Sequence, residues 1–140
     1  MKQVVLLALF LLLTLTACKG KAVEITGRQV SVAGGSYKNI TPAELDVMLV
    51  NKDFVFINVH IPFAGSIQDT DQSIPYDQIS TTEYMNQLPT DRNARIVLYC
   101  RSGRMSEIAA TELVSLGYIN IWNLEGGMVA WEQAGYEIGK

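Results

Sequence analysis

A short apolar strand that ends in a cysteine and leads into a helix constrains the fold of this chain more than any other stretch. Residues 96–99 read Ile-Val-Leu-Tyr, which has the length and β-branched character of a buried strand. Cys100 follows, and a helical pattern over residues 107–116 has apolar residues such as Ile108 and Leu113 on one side. The sequence therefore predicts a cysteine on a tight loop between a strand and a helix N-terminus.

This position favours a reactive cysteine. Backbone N–H groups at the start of a helix are unpaired, and the helix dipole adds partial positive charge there. Gly103 allows a positive φ, so that successive N–H groups converge on one point, and Arg101 and Arg104 add full positive charges. All three effects favour the thiolate, which is the nucleophilic form of cysteine. A buried, inert cysteine before a solvated basic turn is the alternative interpretation.

Strands and helices alternate through the rest of the chain. Thr41 and Glu44 form the capping box of a helix start, and residues 54–59 have the pattern of a buried strand. Residues 119–124 predict another strand, followed by a short last helix. This order predicts an α/β fold with a mostly parallel central sheet and helices on both faces. Ligands of such sheets bind beyond the carboxyl ends of the strands, where Cys100 lies.

The cysteine loop and the segments after it resemble the rhodanese-type sulfurtransferases. The loop reads Tyr-Cys-Arg-Ser-Gly-Arg-Met-Ser over residues 99–106, followed by Leu-Gly-Tyr at 116–118, Leu-Glu-Gly-Gly-Met at 124–128 and Ala-Trp at 130–131. These motifs stand in the order and spacing that the family shows, closely in the C-terminal third and more loosely in the middle. The resemblance implies a single rhodanese-like domain, expected over residues 38–140.

The resemblance also implies an activity, in which Cys100 is the nucleophile of a sulfurtransferase and carries sulfur as a persulfide. The expected partners are a small anionic sulfur donor such as thiosulfate and a thiol or cyanide-like acceptor, with no cofactor and no metal. The substrate-binding loop is expected to comprise Arg101, Ser102, Gly103, Arg104 and Met105. Its backbone N–H groups would cradle the persulfide, and its two arginines would attract the donor.

Three residues depart from the pattern of this family. The strand that usually ends in Asp-Val-Arg ends here in Asn58-Val59-His60, and Met105 stands where many relatives have a basic residue. Asn58 and His60 replace a fixed ion pair by neutral groups, and Met105 favours a donor other than thiosulfate. His60 is the only histidine of the chain, and we interpret it as a structural hydrogen-bonding residue rather than as a catalytic partner of Cys100.

Two other functions fit parts of the same pattern. A cysteine-based phosphatase or arsenate reductase needs an arginine six residues after the cysteine to clamp an oxyanion, and that position holds Ser106. The other alternative is a non-catalytic binding or persulfide-sensing module of the same fold. The presence of Cys100 argues against this alternative.

The charge pattern excludes further functions. A net charge of −3 at pH 7 shows no basic excess, so we predict no nucleic-acid binding. Asp69, Asp71 and Asp77 lie close together but lack the glycine and the terminal glutamate of an EF-hand loop, which favours a solvated loop over a calcium site.

The N-terminus reads as a bacterial export signal. Lys2 precedes an apolar run at residues 4–13, which is too short for a comfortable membrane span. The run leads to Leu-Thr-Ala-Cys, which resembles a lipobox, so residues 1–17 are predicted to be a signal peptide and Cys18 the lipid attachment site that anchors the chain to a membrane. We expect a cell-envelope lipoprotein that faces the periplasm, and we expect it in the outer membrane if the organism is Gram-negative. Residues 18–37 are predicted to be a tether, with a short N-terminal strand as the alternative.

Overall fold

Six strands and four helices are present in residues 20–140, which are the residues that the structure, a computed structural model, describes. The strands are β1 (Arg28–Val32), β2 (Gly35–Ile40), β3 (Val55–Asn58), β4 (Gln72–Ser73), β5 (Ile96–Tyr99) and β6 (Ile121–Leu124). The helices are α1 (Pro42–Val50), α2 (Thr82–Met85), α3 (Arg104–Ser115) and α4 (Gly127–Gln133).

The strands form one sheet in the order β1-β2-β6-β5-β3-β4. β1 and β2 are an antiparallel hairpin, and every other pair of neighbouring strands is parallel. β5 lies between β6 and β3, where Leu98 is opposite Asn123 on one side and Ile57 on the other. The predicted α/β fold with a mostly parallel sheet is confirmed.

The two faces of β5 contribute to two separate hydrophobic clusters, because successive side chains of a strand point to opposite faces. Ile96 and Leu98 pack in one cluster with Leu113 and other residues of α3. Val97 and Tyr99 pack in the second cluster with residues of α1 and α4. All four residues of β5 are buried, and the predicted placement of helices on both faces of the sheet is confirmed.

The capping box at the start of α1 also fixes the segment that precedes β1. One carboxylate oxygen of Glu44 accepts a hydrogen bond from the backbone N–H of Thr41 at 2.8 Å, and the Thr41 hydroxyl accepts one from the N–H of Glu44. The other carboxylate oxygen accepts hydrogen bonds from the N–H groups of Thr26 and Gly27, each at 3.0 Å. Burial alone would raise the pKa of Glu44, but the hydrogen bonds from Thr41, Gly27 and Thr26 lower it below its ordinary value.

The prediction of a tether over residues 18–37 is wrong for the part that forms the hairpin. Residues 28–32 and 35–40 are β1 and β2, and β2 pairs with β6, where Lys38 is opposite Trp122. Residues 20–27 have no regular secondary structure. β1 is an edge strand whose apolar alternation is limited to the half-buried Val30 and Val32, which is too short a pattern to distinguish a strand from a polar tether. The folded unit therefore begins before residue 38.

Three elements have bounds that differ from the prediction, and one of them is β3, which covers Val55–Asn58 rather than residues 54–59. α3 begins at Arg104, and Ile108 is 41% exposed on it, whereas Leu113 is fully buried. β6 begins at Ile121. The predicted signal peptide and the predicted lipid attachment at Cys18 lie outside residues 20–140. Within those residues, no helix has the length and apolar character that crossing a bilayer requires.

Candidate active site

Cys100 follows β5 at its carboxyl end, as the sequence predicts, and its side chain is buried with 1% of the residue exposed. The backbone N–H of Gly103 donates a hydrogen bond to Sγ of Cys100 at 3.0 Å. The hydroxyl of Ser106, which is fully buried, lies 3.5 Å from the same sulfur and donates to the carbonyl oxygen of Gly103 at 2.9 Å. One backbone donor is therefore directed at Sγ, and a buried hydroxyl lies beside it.

Gly103 is the N-cap of α3 and has φ of +106°, a conformation that L side chains rarely adopt. This conformation turns its N–H toward Cys100 and begins the helix at the next residue. The first N–H groups of a helix have no intrahelical partner, so the start of α3 presents further donors and the positive end of the helix dipole to the same loop. The prediction that Gly103 adopts a positive φ is confirmed.

A second glycine turn holds the cysteine loop in place. The N–H of Met128 donates to the carbonyl oxygen of Cys100, and the N–H of Val129 donates to that of Arg101, both at 2.9 Å. Gly127, at φ of +58°, is pressed against this backbone, and a Cβ there would lie 2.8 Å from the carbonyl carbon and oxygen of Arg101. We predicted a turn at this position, but we did not predict that Gly127 packs against the cysteine loop. The Gly-Gly pair before α4 is the sequence feature that could have indicated this contact.

The two arginines of the loop lie on opposite sides of it. Arg101 lines a pocket with residues of α4, and Arg104 lines a groove with Tyr37 and the outer face of α3. Both arginines are exposed, and neither has a carboxylate within 4.0 Å among residues 20–140. Positive charge therefore flanks the cysteine on both sides and is free to interact with an anion.

The other two residues of the predicted loop differ in their exposure. Ser102 is exposed at the tip of the loop, between Arg101 and Gly103. Met105 lies on the first turn of α3, where it is half-buried and packs against the cluster of residues beneath that helix. Our prediction did not include Ser106 in the site. We considered this residue only because phosphatases of the cysteine type have an arginine at the same distance from the cysteine.

Asn58 and His60, which depart from the family pattern, brace the neighbouring loop without an ion pair. The Asn58 side chain donates to the carbonyl oxygen of Gly65 and accepts from the backbone N–H of His60, each at 3.0 Å. Within the described residues, the His60 imidazole has no hydrogen-bond partner. His60 therefore bonds Asn58 through its backbone N–H and not, as we had expected, through its side chain. Burial and then the positive charge of Arg101 lower the pKa of His60 below its ordinary value, so the imidazole is neutral at pH 7.

The position of Ser106 argues against an oxyanion clamp of the phosphatase type. Its hydroxyl donates its one proton to the carbonyl oxygen of Gly103 at 2.9 Å and lies 3.5 Å from Sγ of Cys100, so the side chain is directed into the loop. A neutral hydroxyl there gives no bidentate contact to an oxyanion. Within residues 20–140, no group of three or more His, Cys, Asp or Glu side chains is arranged to hold a metal ion.

The comparisons with known proteins agree on one family. The family model of the rhodanese-like domain matches residues 36–134. A probable adenylyltransferase/sulfurtransferase MoeZ of Mycobacterium tuberculosis is 37% identical over 95 residues, which are 66% of this chain and 24% of that protein. A sulfurtransferase of Allochromatium vinosum is 43% identical over 54 residues, which are 39% of this chain and 49% of that protein. The matches thus span less than two thirds of the length of these curated relatives.

Solved structures include a rhodanese-related protein from Thermoplasma volcanium, with a TM-score of 0.61 and 28% sequence identity. The superposition covers 73% of this chain and 97% of that one.

Proposed function

The chain belongs to the rhodanese-like domain family, and from that premise we propose that it is a sulfurtransferase with Cys100 as its nucleophile. The donor is a small anion that carries a sulfane sulfur, with thiosulfate as the simplest example. The acceptor is a thiol or a cyanide-like nucleophile. Relatives that are named sulfurtransferases support the reaction class.

One observation carries this proposal, which is the environment of Sγ of Cys100. The Gly103 N–H donates to the sulfur, the Ser106 hydroxyl lies 3.5 Å from it, and the start of α3 supplies further backbone donors beside the loop. A thiolate, and equally a persulfide anion, gains from such a cradle because its charge is held by fixed donors that need no reorganisation. Arg101 and Arg104 flank the loop and attract an anionic donor.

The donor step balances without an external oxidant or reductant. The Cys100 thiolate attacks the outer sulfur of thiosulfate, and a bond forms between Sγ and that sulfur. The bond between the two sulfurs of thiosulfate breaks, and its electron pair leaves with sulfite. Cys100 then holds one extra sulfur as a persulfide anion, which is the covalent intermediate of a double-displacement reaction.

The test is turnover of thiosulfate and cyanide by the full chain, with Cys100→Ser as the matched variant. We expect thiocyanate formation by the wild-type chain and none above the uncatalysed rate by the variant. A persulfide that forms without turnover would favour the sensing or carrier module of the same fold. Neither turnover nor persulfide, with the Cys100 thiol reduced and titratable, would refute the sulfurtransferase proposal.

The location of the chain is a second part of the proposal. The lipobox-like segment before Cys18 supports acylation of that residue and anchoring in the cell envelope, with the folded domain facing the periplasm. The test is incorporation of labelled fatty acid and membrane fractionation in a bacterial host, with Cys18→Ala beside the wild type. We expect label and membrane association to be lost in the variant. Equal labelling of the two chains would refute the anchor.

A further inference from the structure

A pocket of about 240 Å³ lies directly beside the cysteine loop, on the side of α4. Its lining comes from four parts of the chain, namely the loop after β3, the cysteine loop, α4 and the C-terminal segment. The lining residues are Ala64, Arg101, Met128, Glu132 and Ile138. Arg101 is the residue after the nucleophile, and the N–H of Met128 donates to the carbonyl oxygen of Cys100, so the pocket adjoins the reacting residue.

Hydrogen bonds outside the cysteine loop fix the walls of this pocket. Ser66 and Gly139 form an isolated antiparallel bridge, in which each N–H donates to the other carbonyl oxygen at 2.8 Å. Gly65 has no room for a Cβ, which would lie 2.7 Å from Ile138 Cγ2 and from the carbonyl oxygen of Gly139. The C-terminal segment is therefore held against the loop after β3.

The pocket lining contains two opposite charges and three apolar residues. Arg101 contributes a guanidinium and Glu132 a carboxylate, whereas Ala64, Met128 and Ile138 are apolar. Within residues 20–140, neither charge has an ion-pair partner within 4.0 Å, and the two do not pair with each other. Both are therefore available to a ligand that carries one negative and one positive group.

We propose that this pocket binds the sulfur acceptor and that the acceptor is a small zwitterionic amino-acid thiol. Its carboxylate is bound by Arg101 and its ammonium by Glu132. The volume is below the roughly 300–1,000 Å³ typical of drug-sized ligand pockets, which favours a single amino acid over a peptide. This inference rests on the proposed function, because it names the acceptor class of the same reaction.

The acceptor step follows the departure of sulfite, so Arg101 can serve donor and acceptor in turn. The acceptor thiol loses its proton to solvent, and its thiolate attacks the outer sulfur of the Cys100 persulfide. A bond forms between the two sulfurs, and the bond from Sγ to the transferred sulfur breaks. The electron pair of that bond stays on Sγ, which regenerates the Cys100 thiolate and releases the acceptor as its own persulfide.

The kinetic test compares three thiols on the full chain after loading with thiosulfate, with loading checked first by intact mass. L-cysteine carries both charges, 3-mercaptopropionate lacks the ammonium, and cysteamine lacks the carboxylate. We expect the KM for L-cysteine to be lowest, and Glu132→Gln to raise it about fivefold while leaving the KM for 3-mercaptopropionate unchanged. Glu83→Gln, an equal change of charge on exposed α2, should change neither value.

A binding measurement separates this proposal from the sulfurtransferase proposal. S-methyl-L-cysteine carries both charges but cannot accept sulfur, and its titration should shift the amide NMR signals of Arg101, Met128 and Glu132 in the wild type and more weakly in Glu132→Gln. Equal KM values for the three thiols, or an equal effect of Glu132→Gln on all of them, would overturn the acceptor assignment. If no persulfide forms, the proposed function fails. If the NMR shifts are also absent, the claim that this pocket binds an amino acid fails as well.

Discussion

Gly127→Ala is expected to damage both the stability and the activity of this protein, because Gly127 touches the backbone of the cysteine loop. A Cβ at this position would overlap the carbonyl oxygen of Cys100 and lie 2.8 Å from the carbonyl carbon and oxygen of Arg101. These neighbours are backbone atoms, which cannot rotate away as a flexible side chain can. The loop that carries the nucleophile must therefore move.

The magnitude follows from three terms. Alanine at φ of +58° costs about 1–2 kcal/mol in backbone strain. Displacement of the loop weakens the hydrogen bonds from Met128 to Cys100 and from Val129 to Arg101, at about 1 kcal/mol each. We therefore expect a loss of about 3–4 kcal/mol in the free energy of unfolding. A shift of the nucleophile by about 1 Å lowers kcat/KM by about 100-fold.

Gly117→Ala is the matched control, because Gly117 also has a positive φ, of +90°, but a Cβ there meets no atom within 4 Å. This variant should lose only the strain of about 1–2 kcal/mol and should retain wild-type kcat/KM. Urea unfolding and thiosulfate:cyanide turnover measure the two quantities. Equal losses of stability and equal activities in the two variants would refute the claim that Gly127 positions the cysteine loop.

Three further predictions test other parts of the account. Met105→Arg should lower the KM for thiosulfate about threefold, because it adds a charge to the first turn of α3, and an unchanged KM in steady-state kinetics would contradict this. Ser106→Ala should lower kcat/KM about threefold to tenfold, because it removes the hydroxyl that bonds the Gly103 carbonyl oxygen and lies beside Sγ, and wild-type kcat/KM would count against that role. Glu44→Gln should cost about 1–3 kcal/mol at pH 7, as measured by urea unfolding. Because the pKa of Glu44 is lowered in the folded state, its contribution to the free energy of unfolding is complete above its ordinary pKa of 4.5 and is lost as the pH falls through the lower folded value. The stability difference between Glu44→Gln and the wild type should therefore shrink in acid, and a difference that stays constant would contradict this role.

The sequence was most informative where structure depends on neighbouring residues. β5, the glycine at the helix start and the capping box of α1 are each determined within about ten residues, by apolar runs, a positive φ and side-chain capping. The predicted sheet followed from the alternation of these elements. The position of Cys100, between the end of β5 and the start of α3, could therefore be predicted without knowledge of any distant contact.

The features that we missed depend on contacts between residues far apart in the chain. Gly127 meets Cys100 across 27 positions, and Glu44 binds Thr26 across 18. Neither contact leaves a periodic pattern in the sequence. The hairpin of β1 and β2 was also missed, because the apolar face of β1 consists only of the half-buried Val30 and Val32 and its position is set by pairing with β2.

The most direct test of the central claim is the mass of the chain after incubation with thiosulfate, with sulfite release measured in the same sample. We expect the wild-type chain to gain about 32 Da, the mass of one sulfur atom, on the peptide that contains Cys100, with one sulfite released for each chain. Reduction should remove the added mass, and Cys100→Ser should neither gain it nor release sulfite. Added mass that persists in Cys100→Ser, or no added mass on a reduced and titratable Cys100, would contradict the account.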